Sequence, residues 1–238
     1  MRYLLILLLT VSAHAQTRQV SLRLLAFDGM NIPPESFAFD PAAPPGTAGV
    51  KAPVKGYLNH EVTKVILSGS KVVFAKTANP EDLKKPEMVL ADVNLPRAGT
   101  RFMLIFLPKA TGEVGYQVMP LDDSVKDFPL GSYRIINLSR FPVKLNLQDK
   151  SFEYKAGDSK VIENPPVGAD KHSAMYAFSM IDGKWARIGA NTWPHPGKKR
   201  SVQMFFDNPD TKRTELRGFR DISPPVPGQQ QVATSAGE

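Results

Sequence analysis

The chain has 238 residues, no cysteine, and 30 Lys plus Arg against 23 Asp plus Glu, a net charge of +7. That length suits one large or two small domains, and the missing thiols exclude a disulfide framework, a thiolate nucleophile and a thiolate metal site. The basic balance would favour acidic partners; spread along the chain, it also reads as ordinary solubilising charge.

The chain opens on MRYLLILLLTVSAHAQ, with Arg2, an apolar run from Leu4 to Val11 and the small-x-small ending Ala13-His14-Ala15. This is the build of a secretory signal peptide over residues 1–15. Its apolar run is too short for the roughly 20 residues that span a bilayer. No later stretch reads as a membrane helix. The protein is therefore expected to be exported, periplasmic or extracellular, without a transmembrane segment after processing.

Beyond the leader, VSLRLLAF (20–27) is the first strand. The next stretch, 28–56, carries six prolines and no sustained period, and reads as a long loop. Strands follow at 62–69, 71–76, 88–95, 101–108 and 116–121, with NPEDLKKPEM (79–88) giving at most one helical turn between Pro80 and Pro86. Residues 121–131 hold a boundary. In GSYRIINLSRFPVKLNLQDKSFEYKAGDSKVI (131–162), Tyr133 and Ile135 share a face, and Val143, Leu145 and Leu147 alternate with Lys144, Asn146 and Gln148. Apolar residues two apart, broken by polar turns, mark antiparallel strands with one wet face. Further strands fall at 173–181, 184–193, 201–208 and 214–222. Asp182-Gly183 marks a tight turn, and Asn208-Pro209-Asp210-Thr211 a hairpin. Residues 223–238 lack the apolar content to fold and are expected to be a disordered tail.

The fold class is therefore all-β, an antiparallel β-sandwich with two immunoglobulin-like domains over 16–126 and 127–222. One larger composite sheet remains an alternative. No sequence repeat relates the halves.

Chemistry is thinly marked. Outside the leader, His60, His172 and His195 each stand alone, and the zinc pattern His-Glu-x-x-His fails at Lys64. There is no Gly-x-Ser-x-Gly elbow and no phosphate loop. Asp122, Asp123, Asp127, Glu153 and Asp158 fall in turns or on wet faces, where solvated acids are the expectation. No cofactor, metal or catalytic residue is assigned, and nucleic acid is excluded as a partner by export and the lack of a motif. The chain reads as non-enzymatic. The surface feature that stands out is ANTWPHPGKKRS (190–201). Trp193, His195, Lys198, Lys199 and Arg200 in one proline-bracketed loop would suit an anionic polymer or a sugar ring. Against that stands Trp193 folding back to plug the sandwich. Trp185, after the Asp-Gly turn, is expected in the core.

The segment 131–161, followed by GKWARIGANTWPHPGKKRSVQMFFDNPDTKRTELRGFRDI (183–222), resembles a family of uncharacterised exported β-sandwich proteins of bacteria. The likeness rests on the YRIINLS strand, the Trp-bearing strand, the Pro-His loop and the final RGFRD strand. It covers about half the processed chain and transfers no catalytic residue. It implies a cell-envelope protein of unknown role. The whole sequence then reads as an exported protein that binds or scaffolds a partner at the envelope, an envelope protein or an anionic polysaccharide. Periplasmic pilus chaperones are similar in length, charge and two-sandwich plan, which leaves an assembly factor acting through a sheet edge as an alternative.

Overall fold

The computed structural model describes residues 17–29, 32–58, 61–109, 113–222 and 224. The expected leader, His60 and, apart from Pro224, the expected tail over 223–238 lie outside them.

Among the described residues, strands are the only regular elements apart from two short 3-10 turns. The first unit contains β1 (Arg18–Ala26), β2 (Phe37–Phe39), β3 (Val50–Lys51), β4 (Thr63–Leu67), β5 (Lys71–Ala75), β6 (Val89–Asn94), β7 (Arg101–Pro108) and β8 (Tyr116–Asp122). Short 3-10 turns at Pro80–Lys84 and Pro86–Met88 separate β5 from β6. The second contains β9 (Tyr133–Asn137), β10 (Val143–Leu147), β11 (Lys150–Tyr154), β12 (Ser159–Ile162), β13 (His172–Ile181), β14 (Lys184–Pro194), β15 (Arg200–Asp207) and β16 (Thr214–Asp221). The stretch expected to be a long loop over 28–56 holds β2 and β3. Both are short enough that their alternation is lost among the prolines.

Each unit is a sandwich of two four-stranded sheets. The first has orders β4-β1-β7-β8 and β3-β2-β5-β6, and the second β12-β9-β15-β16 and β11-β10-β13-β14. Every strand of the second unit thus occupies the place of the strand eight labels earlier in the first. The architecture is present twice, although the sequence shows no repeat. In both units the first strand pairs in parallel with the seventh, β1 with β7 and β9 with β15, while the other pairings are antiparallel. That departs from a wholly antiparallel sandwich. Of the intervening strands only β4 and β12 lie in the same sheet; the others run through the opposite sheet, so the chain re-enters the first sheet in its original direction.

Period-two alternation builds three apolar layers from these sheets. Leu22, Leu24, Phe102 and Phe106 meet Phe74 and Val93 inside the first sandwich. Tyr133, Ile135 and Phe205 meet Val143, Leu145 and Trp193 inside the second. The other faces of the two parallel-containing sheets close on each other: Leu25, Met103 and Ile105 from one side, and Ile136, Val202 and Met204 from the other, form a third layer. β9 is consequently buried at all five positions. The wet face expected for it is covered by the neighbouring sandwich, whereas β10 retains the expected alternation of buried and half-buried residues.

Candidate functional site

The loop between β14 and β15 is pinned by backbone hydrogen bonds. Gly131 N–H donates to the Lys199 carbonyl at 2.8 Å, and His195 N–H donates to the Lys171 carbonyl at 2.9 Å. Gly197 N–H donates to His195 Nδ1 at 3.0 Å. Gly131 has φ 78°, and a Cβ there would stand 3.1 Å from the Gly197 carbonyl oxygen. Only glycine accepts both the left-handed backbone and the close approach.

The five residues singled out in this segment part company. Trp193 is buried at 8% exposure. Its ring packs 5.0 Å from that of Tyr133 at 55°. It is a plug in the sandwich core rather than an exposed platform. Tyr133 donates its hydroxyl to the Pro194 carbonyl. Burial pushes its pKa up to about 12, against the opposing field of Arg220. His195 and Lys199 line a cleft of about 230 Å3 beside Trp193, Tyr133, Gln203 and Arg220. Lys198 is exposed at the tip of the turn, outside that lining. Arg200 is fully buried. The expected exposed cation is held inside because β15 begins at this residue and runs into the junction. Trp193 thus takes the plugging place weighed for it, whereas Trp185, expected in the core, is half-buried on an outer sheet face, with the Lys144 ammonium 4.4 Å from its ring.

The Arg200 guanidinium joins a buried cluster that spans both units. Arg23 donates Nε to Asp123 Oδ2 at 2.8 Å and Nη2 to Asp123 Oδ1 at 2.9 Å. It also donates Nη1 to Asp221 Oδ1 at 2.8 Å and Nη2 to Asp221 Oδ2 at 2.7 Å. Arg200 donates Nη2 to Asp123 Oδ1 at 2.6 Å and to Asp221 Oδ2 at 2.7 Å. Its Nη1 donates to the Phe128 carbonyl at 2.8 Å, and its guanidinium carbon stands 4.4 Å from the Phe128 ring centroid. None of the four charged residues is more than 4% exposed. Burial acts to raise the Asp221 pKa, but the hydrogen bonds and charges of Arg23 and Arg200 outweigh it and hold the carboxyl below its ordinary value. Two carboxylates fixed between two guanidiniums make a lock. Asp123, expected to be solvated, is among them. The sequence carries no signal for the cluster: Arg23 reads as a wet-face residue of an ordinary strand, and its partners lie 100 and 198 residues away.

A second cleft, of about 470 Å3, continues from the first along the open side of the second sandwich, between β14 and β16. Its walls include Met175, Ile188, Gly189, Trp193, Leu216 and Gly218. Among the described residues, no three His, Asp or Glu side chains group as ligands for a metal ion, and no helix is long and apolar enough to cross a membrane. His172 is exposed, its Nδ1 3.7 Å from Asp170 Oδ2.

No family model matches the chain, and no curated protein matches it. Among solved structures it matches a crystal structure of a "putative cell adhesion protein from Bacteroides uniformis ATCC 8492", with 9% sequence identity, 85% of this chain and 99% of that chain covered, and a TM-score of 0.20. At that score the likeness carries no argument. The all-β fold rests on the strand pairings alone.

Proposed function

We propose that this chain is a non-enzymatic binding or scaffolding protein exported to the bacterial cell envelope, and that it takes an acidic partner at the cleft beside Trp193. The resemblance of 131–161 and 183–222 to exported envelope proteins supports the setting, and the leader pattern over 1–15 supports export. The cleft carries the reading. Its lining includes Lys199, Arg220 and His195 and no carboxylate. Neither Lys199 nor Arg220 has an ion-pair partner among the described residues, whereas Arg200 beneath them is fully paired. Cations left unpaired beside a rigid apolar wall of Tyr133 and Trp193 give an incoming carboxylate, sulfate or phosphate group charge-assisted hydrogen bonds at little ordering cost.

The test is retention of the processed protein on immobilised polygalacturonate at low salt. Replacing both Lys199 and Arg220 by alanine should weaken retention about tenfold or more, and added salt should elute the native protein. Retention that ignores both the substitutions and the salt removes the reading. A stacking role for the Trp193 ring is not part of it, since that ring is buried.

A further inference from the structure

The duplicated architecture gives an internal comparison. In the first sandwich β8 closes against β6. Gly115, at the entrance to β8, lies so near the Leu90 backbone that a Cβ would stand 2.5 Å from the Leu90 carbonyl oxygen. The equivalent strands of the second sandwich, β14 and β16, make much less contact and leave the 470 Å3 cleft between them. Each is the last strand of its sheet, hydrogen-bonded on one side only. Among the described residues β14 is the longest strand, eleven residues with proline only at its end. Such an edge presents a row of backbone donors and acceptors that is ordinarily covered or blunted. The register shift opposite Ala177 and Phe178 inserts Ile188 as an extra residue in β14, and Ile188 lines the cleft. Small residues keep the slot open: a Cβ on Gly189 would meet nothing nearer than the Ala177 Cβ at 3.9 Å.

We infer that this open side receives an extended, acid-flanked polypeptide segment, which adds to the β14 edge as a strand and lays small apolar side chains into the cleft against Ile188, Trp193 and Leu216. The inference rests on the proposed function and names the chemistry of its partner. Charge decides the flanks. Lys184 and Arg187 are exposed on β14, and Lys199 and Arg220 line the first cleft, which this one adjoins at Trp193, Gln203 and Gly218. Among the described residues, the two cleft linings together hold one carboxylate, that of Glu215, which already accepts the Thr211 hydroxyl at 2.7 Å. A polypeptide is favoured over a polysaccharide because only a peptide backbone matches the spacing of donors and acceptors along a strand edge.

The probe is a pool of synthetic peptides of about ten residues, with glutamates at both ends and valine, threonine and alanine varied between them. Retention on the processed full chain is compared with that of the same pool N-methylated at alternate residues. The unmodified pool should be retained, and the methylated pool, of equal charge, about tenfold less or weaker still. Gly189→Leu fills the slot without backbone strain, and it should weaken the peptides about tenfold while leaving polygalacturonate retention unchanged. Equal retention of the methylated pool, or indifference to Gly189→Leu in a protein whose circular dichroism and melting are native, overturns the inference. Polygalacturonate retained with no peptide retained overturns it too and leaves the proposed function standing. If neither probe is retained, both fall.

Discussion

Asp221 sits between two guanidiniums with no exposed surface, so its replacement tests the lock without adding bulk. Asp221→Asn leaves Arg23 and Arg200 with one carboxylate between them in a dry site. Breaking a buried ion pair on one side costs about 3–5 kcal/mol, and urea unfolding at neutral pH should show a loss of that size. The acid limb has a definite sign. The folded carboxyl titrates below its unfolded value of about 3.9, so its stabilising contribution is complete above that value and is lost as the pH falls through the lowered one. The unfolding midpoint should therefore hold its Asp221 contribution down to about pH 4 and fall below it. In Asp221→Asn that part of the fall should be missing. Tyr133 acts in the opposite direction. Its raised pKa favours the neutral phenol in the fold, a contribution present below about pH 10 and lost as the pH rises toward about 12. Tyr133→Phe should cost about 1 kcal/mol, the worth of its hydrogen bond to Pro194, and should flatten the alkaline decline measured by the same unfolding titration.

At the scale of the element, glycine geometry separates the closed sandwich from the open one. Gly115 has φ 89° and faces the Leu90 backbone, which cannot yield as a flexible side chain can. Gly115→Ala combines a left-handed backbone with a carbonyl clash, and a loss of about 1–3 kcal/mol is expected in thermal or urea unfolding. Gly157 has φ 82° with nothing near its Cβ position. Gly157→Ala should show only the smaller backbone cost of about 1 kcal/mol. A Gly115 variant no more costly than the Gly157 variant would mean that β8 does not press on β6. The contrast between the two sandwiches would then lose its physical basis.

Across the whole molecule, the two sandwiches share one apolar layer and one charged lock, so they should unfold as one body. Met204, fully buried in the shared layer, belongs to the second unit but touches the first through that layer. Met204→Ala should cost about 2–5 kcal/mol and lower the stability reported by probes in both units together. Calorimetry of the native chain should give a single transition with matching calorimetric and van't Hoff enthalpies. Two separated transitions would show that the junction is an incidental contact between independent domains. Rigidity at this scale matters for the proposed role, because it fixes the second sandwich's open side relative to the first sandwich.

The alternation of Val143, Leu145 and Leu147, the Asp182-Gly183 turn and the spacing of the remaining strands were enough to read an all-β sandwich from the sequence. Side-chain alternation is a local property of an extended backbone and needs no knowledge of what lies opposite. The first short strands, β2 and β3, escaped because two or three residues are too few for a period to show. Only the tertiary structure decided which faces are covered a second time and which charges meet. β9 was read as half-wet and is wholly buried, Trp185 was expected in the core and lies half-buried on an outer face, and Arg200 left the surface for Asp123 and Asp221. Each of these depends on a neighbour far away in the chain, and the sequence around a residue does not encode the distance to a partner that folding brings to its side.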